Sequence, residues 1–384
     1  MNVLVLTAYP PVLDMHGGGV RMYHNVRILS QRHRVRVISF IESEEDRERL
    51  KSVREVCESV TAIRRRPDFR PHWLSLLPFM VRAFSTPEMY NAVDTAFQKE
   101  RVDVLQCEYL EMAQYRKPGT FCILTAHEAV SRNLREAIVT ERAPALKVRA
   151  FYHWMQMLQY EAREVRKFDR IVTMTEEDAA YLRSYAQTSN IRSIPIGVDL
   201  NRFLPLDEDT NCPLEVLFVG NFRHAPNVEA VSFLIQRVAP KFPKIRFVFA
   251  GFNVSPEAGT GANVVFPGYV PDIREVYRRP NTIVMAPLFS GTGQRVKLLE
   301  AFAMGCPVVT TSLGAAGFPI RPGVNAILAN SPSEFCDALR ALASSLDYRR
   351  GIGESGRMMA TEHLGWDRLA GRYCAVVEEA AISN

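Results

Sequence analysis

The sequence predicts an α/β protein made of two Rossmann-like, doubly wound domains facing each other across a cleft. Three observations carry this expectation. Short, near-continuous apolar runs alternate with longer segments that carry charged faces, as parallel strands and their covering helices do. The alternation runs through the first half of the chain and then starts again. The length, 384 residues, exceeds one ordinary core and suits two.

In the first block, residues 3–8, 35–40, 103–108, 121–127 and 170–175 read as strands. Residues 20–29, 42–57 and 86–99 read as helices between them. In the second block the strands are 214–219, 245–250, 263–266, 282–287 and 307–311, with helices over 227–238 and 295–304. Residues 194–199 lead into a polar stretch at 206–211, which reads as the linker. The expected division is therefore 1–192, 193–365 and a closing helix, 366–384, that crosses back to the first domain. Open parallel sheets bind ligands at the carboxyl ends of their strands, so the loops there are the place to look for chemistry.

Composition narrows the class. Hydrophobic residues make up 47% and charged residues 23%, as in water-soluble globular chains. No run approaches the roughly 20 apolar residues of a membrane span. Residues 1–6 lack the basic flank of a signal peptide and read as a first strand. Seven scattered cysteines with no C-x-x-C pair argue against a disulfide framework and against a zinc site. A reducing, cytoplasmic setting follows. The net charge of +5 is uneven: residues 1–192 hold 29 Lys and Arg against 24 Asp and Glu, and residues 193–384 hold 18 of each. A positive first domain suits an anionic acceptor or an anionic membrane surface; nothing points to nucleic acid.

Three places carry candidate chemistry. Gly17, Gly18 and Gly19 follow the first strand and precede a helix, where backbone can approach a ligand and the helix start favours anions. They do not form G-x-G-x-x-G, which disfavours a redox Rossmann enzyme. His127 closes the apolar run 122–126, at a strand end where imidazole can bond a substrate hydroxyl. Beyond Glu128, the sequence places no other carboxylate near it. The strongest signal is residues 291–309, which begin Gly291-Thr292-Gly293-Gln294-Arg295-Val296-Lys297 and continue through Glu300 to Gly305 and Pro307. A glycine loop opens a helix here, and amides at a helix start can hold a diphosphate. Lys297 can reach phosphate, and Glu300, three residues on, can accept bonds from two ribose hydroxyls. The same pair also fits an ordinary i, i+3 ion pair on a surface helix.

With these motifs the chain resembles the retaining glycosyltransferases of family 4, of the GT-B fold. The resemblance spans nearly the whole chain: Gly17–Gly19, His127 with Glu128, and residues 173–178, 194–199, 218–221, 266–270 and 291–309. The last segment resembles the branch that works in exopolysaccharide and capsule assembly. Two positions depart from the family pattern. Thr292 stands where the family has the first of two glutamates separated by seven residues, the second being Glu300 here, which leaves the donor sugar open. Asn221 stands where an arginine usually follows Gly220, so either Arg223 or Arg295 would take its place at the phosphates or the arginine is dispensable here.

The resemblance implies a nucleoside-diphosphate sugar on the second domain. Its base would lie near Tyr269 and Val270, its ribose on Glu300, and its diphosphate on Gly291, Thr292, Gly293, Arg295 and Lys297, with Gly18, Gly19, Asn221 and Arg223 in contact. His127, Lys297 and Glu300 would be the catalytic set, with no metal and no cofactor. The first domain would hold a glycan or lipid-linked acceptor and bring His127 to the donor sugar. Residues 64–82, with five arginines and one aspartate around Trp73, Leu74, Leu76, Leu77, Phe79 and Met80, would touch the inner face of the membrane. A sugar-nucleotide epimerase of the same fold and a non-catalytic binding relative are the alternatives.

Overall fold

The computed structural model describes residues 1–13, 17–65, 77–141, 143–205, 212–253, 261–279, 281–291 and 293–383. The chain forms two compact units, one of residues 1–195 with 369–384, the other of residues 196–368.

The first unit holds a parallel sheet of β1 (Asn2–Thr7), β2 (Arg34–Ile41), β3 (Ser59–Arg64), β4 (Val104–Glu108), β5 (Phe121–Ala126), β6 (Arg170–Thr173) and β7 (Ile191–Ser193). The order is β3-β2-β1-β4-β5-β6-β7. Val3 is paired with Val35 on one side and Val104 on the other. β4 and β5 are buried along their whole length, which is why they read as unbroken apolar runs. The chain winds one way from β1 and the other way from β4. Loops after these two strands therefore part at a switch point, where such sheets bind ligands.

The second unit repeats the plan with β8 (Glu215–Val219), β9 (Arg246–Ala250), β10 (Val264–Gly268), β11 (Thr282–Ala286), β12 (Val308–Thr310) and β13 (Ile327–Leu328), in the order β10-β9-β8-β11-β12-β13. Its switch point lies between β8 and β11.

Several elements differ from the sequence expectation. β3, β7 and β13 were not expected; each is a short or half-exposed edge strand without a long apolar run. Residues 42–57 hold two short helices, Glu44–Arg49 and Lys51–Arg54, the first closed by a Ser43–Asp46 capping box. The first long helix spans Gly17–Ser30, so the glycines form its opening turn and not a loop before it. After Phe233 the helix expected over 227–238 continues as a π-turn, Leu234–Val238. Among the described residues no helix is long and apolar enough to cross a membrane.

Candidate active site

In the second unit, the residues expected to meet a donor gather around the ends of β8, β9, β10 and β11. Gly251 has φ +138°, and a Cβ there would lie 1.9 Å from the Gly220 carbonyl oxygen, so the two loops touch backbone to backbone. Above this contact Lys297 reaches in from the helix Val296–Ala303. Its Nζ donates to Asn227 Oδ1 at 2.6 Å and lies 3.9 Å from the centre of the Phe218 ring. Asn227 Nδ2 in turn donates to the Asn221 carbonyl at 2.7 Å. Asn227 thus ties the ammonium group to the loop after β8. Desolvation, with nearby Arg295, pushes the Lys297 ammonium down to about 7.

The loop before that helix has a local cause. Gly291 and Gly293 both take positive φ, at 91° and 74°. Arg295 folds back and donates to both of their carbonyls, at 2.6 and 2.7 Å. It also occupies the helix N-cap, where its own side chain makes no cap bond to the first amides. Gln294 Oε1 accepts from the Ile196 amide at 2.5 Å, joining the 194–199 segment to this loop, while its buried Nε2 has no partner.

Glu300 does not pair with Lys297. Its Oε2 accepts from the Tyr277 hydroxyl at 3.2 Å, and Tyr277 itself is buried. Burial, eased by Tyr277, Arg202 and Lys297, raises the carboxyl to about 7. At the ends of β9 and β10, Phe252 and Tyr269 form an exposed aromatic pair with centroids 4.4 Å apart and planes 31° apart. Val270 follows at the same edge.

In the first unit, His127 stands at the end of β5 in a buried network. Its Nε2 lies 2.7 Å from Glu108 Oε2 at the end of β4. Glu108 Oε1 accepts from Gln106 Nε2 at 2.5 Å, from Asn25 at 3.3 Å and from the Tyr373 hydroxyl at 3.4 Å. Burial pushes the Glu108 carboxyl up, but His127, Arg21 and Asn25 outweigh it, and the carboxyl is held below its ordinary value. Burial lowers the imidazole. A neutral His127 beside an ionised Glu108 carries its proton on Nε2, which leaves Nδ1 as an acceptor. The ring stacks on Tyr109, 3.8 Å away and 3° from parallel. Tyr109 holds φ +78° and ψ 150°, a region that residues other than glycine adopt only at a cost of about 1–3 kcal/mol. Arg21 is wholly buried; Nη1 donates to the Ile194 carbonyl at 2.8 Å, while Nε and Nη2 have no partner.

Comparison with known proteins decides the family. A model described as Glycosyltransferase Family 4 matches residues 15–202, and one described as Glycosyl transferases group 1 matches residues 213–345. The chain carries a family 4 glycosyltransferase domain followed by a group 1 glycosyl transferase domain. A D-inositol 3-phosphate glycosyltransferase of Geodermatophilus obscurus is 25% identical over 259 residues, 58% of this chain and 56% of that protein. One from Paenarthrobacter aurescens is 30% identical over 238 residues, 55% of this chain and 57% of that protein. The chain thus spans about half the length of the curated relatives it matches. Among solved structures, a sucrose-phosphate synthase from Thermosynechococcus elongatus superposes with a TM-score of 0.74 at 16% identity, over 100% of both chains. Anabaena HepE in complex with UDP and glucose gives 0.70 at 14%, over 99% of this chain and 100% of that one. These two likenesses show the GT-B fold.

Within this chain, the structure gathers Asn221, Gly291, Gly293, Arg295 and Lys297 at the β8 and β11 ends, with Tyr269 and Val270 at the β10 end. Thr292 lies outside the described residues. Arg223 is exposed, its amide bonded to Asn221 Oδ1 at 3.1 Å. Gly18 and Gly19 belong to the first unit, within the opening turn of its first long helix. The expectation that no carboxylate but Glu128 stands near His127 is corrected by Glu108, while Glu128 accepts from Asn133 at 2.6 Å. The sequence reading also passed over Asn227, Tyr277 and Phe252. Only Glu108 left a signal, as an acid closing an otherwise apolar strand.

Proposed function

We propose that the chain transfers a sugar, with retention of its anomeric configuration, from a nucleoside-diphosphate sugar to a glycan or lipid-linked acceptor in polysaccharide or glycolipid assembly. The observation that carries this reading is the Lys297 ammonium held over the contact between Gly220 and Gly251, beside the start of a helix whose N-cap side chain makes no cap bond. A diphosphate leaving group needs fixed positive charge and N–H donors, and both stand here. Glu300 takes the ribose hydroxyls, and Phe252 with Tyr269 offers a flat apolar platform for the base. HepE, of the same fold, has been solved in complex with UDP and with UDP-glucose, which supports a nucleotide-sugar donor. Under this reading the donor charge is met by Lys297, Arg295 and the helix start.

A thermal-shift panel of nucleoside-diphosphate sugars tests it, since a ligand of the native state raises apparent stability. One donor should raise the transition, and release of its sugar should then depend on an added acceptor. No shift with any nucleoside diphosphate or its sugars would end this reading.

A further inference from the structure

The helix Pro144–Val165 is seated on the first unit by Met157, Tyr160, Glu161, Glu164 and Val165, all in its carboxyl-terminal half. Amino-terminal to these, four large apolar side chains face outward. Val148, Phe151, Tyr152 and Met155 are 71%, 45%, 53% and 39% exposed. They stand at i, i+3, i+4 and i+7, so they line one side of the helix. Leu146 and, on the neighbouring helix Val130–Thr140, Val139 are exposed as well. A stripe of this kind on an otherwise well-packed unit marks a contact surface.

Charge says what the contact is. From 142 to 160 the chain has no acidic residue, and Lys147 and Arg149 alternate with Leu146 and Val148. Two copies meeting through this stripe would set cations against cations. Anionic headgroups complement it, with aliphatic stems along the apolar surface and charged ends at the phosphates. Phe151 and Tyr152 suit the interfacial layer. Val148 to Met155 covers about 10 Å of helix axis, enough to lie in an interface and far too little to cross a bilayer.

We propose that this stripe docks the chain on an anionic lipid surface. The inference deepens the reading above, because a chain lying on a bilayer meets a lipid-linked acceptor there. It is a separate surface from residues 64–82, of which 66–76 lie outside the described residues.

Co-sedimentation of the full chain with vesicles tests the proposal without donor or acceptor, so its failure is separate from failure of the transferase reading. The vesicles are phosphatidylcholine alone, or equal parts phosphatidylcholine and phosphatidylglycerol. Binding should favour the anionic vesicles and weaken with salt. Val148→Glu with Phe151→Glu should abolish it, and Lys147→Glu with Arg149→Glu should weaken it by about tenfold or more. All four positions are exposed, so circular dichroism and thermal unfolding should match the parent chain, and the second pair serves if the first misfolds. Equal vesicle binding by parent and variants would overturn the proposal. So would no binding to anionic vesicles at low salt, or self-association of the parent chain that either pair removes.

Discussion

The Oε2 atom of Glu108 lies 2.7 Å from Nε2 of His127, and both side chains are shut away from water. The pair joins the ends of β4 and β5, with Arg21 beside it as a second buried charge. A buried carboxylate that orients an imidazole acts on chemistry and on stability at once, and the two effects can be measured separately.

Glu108→Gln is expected to destabilise the fold by about 1.5–3 kcal/mol, because it removes the charged acceptor of the His127 bond and the negative charge that offsets the buried Arg21 guanidinium nearby. Replacing Arg21 by Met as well should recover part of the loss. The carboxyl of Glu108 is held below its ordinary value in the folded chain. Its contribution is therefore complete above the ordinary glutamate range and is lost as pH falls through the lower folded value. Urea unfolding at a series of pH values reads both effects. An unchanged neutral midpoint in Glu108→Gln would show that the pair contributes nothing to stability.

His127→Ala should lower turnover at least about tenfold, as loss of a positioned hydrogen-bonding imidazole does, while nucleotide affinity stays nearly unchanged. Positioning, not proton abstraction, is the expected role, since same-face attack needs little help from a strong base. Steady-state kinetics and calorimetry together check this. Equal losses in affinity and turnover would make His127 a nucleotide contact or a purely structural residue.

Lys297 stands near 7 in the free chain, so at pH 8 most of it is neutral. A bound diphosphate favours the ammonium, and binding should therefore take up close to one proton at that pH and less below pH 6. Calorimetry in buffers of different ionisation enthalpy measures the uptake, and Lys297→Met should remove it. The same variant should lose about 10²–10³ in turnover. Without ligand it should be no less stable near neutral pH: a lysine lowered on folding opposes folding most strongly below its folded value, and the penalty fades as pH rises towards the ordinary lysine range. Proton uptake that survives Lys297→Met would assign the linkage to another group.

Glu300→Gln should weaken nucleoside diphosphate binding by about 1.5–3 kcal/mol for each charged bond to a ribose hydroxyl, yet leave pyrophosphate binding as it was. Titrating the two ligands against parent and variant separates ribose from phosphate. Parallel losses for both would place Glu300 at the diphosphate instead.

Much of this was legible in the sequence. β1, β4, β5, β8, β9 and β11 lie inside their sheets and are buried along most of their length, so apolar residues dominate there and the runs stand out. The 291–309 segment was equally clear, because a glycine loop, a helix and a strand are local features. The edge strands β3, β7 and β13 escaped because half-exposed or very short strands tolerate polar residues. The partners of the candidate residues were hidden for a different reason. Lys297 finds Asn227 across 70 positions, and Glu108 finds Tyr373 across 265. No spacing rule reaches that far. Local sequence fixes which groups stand at the strand ends, but the winding order of each sheet decides which ends are neighbours. Burial then decides which of those groups must pair, because an unpaired charge away from water is too costly to keep.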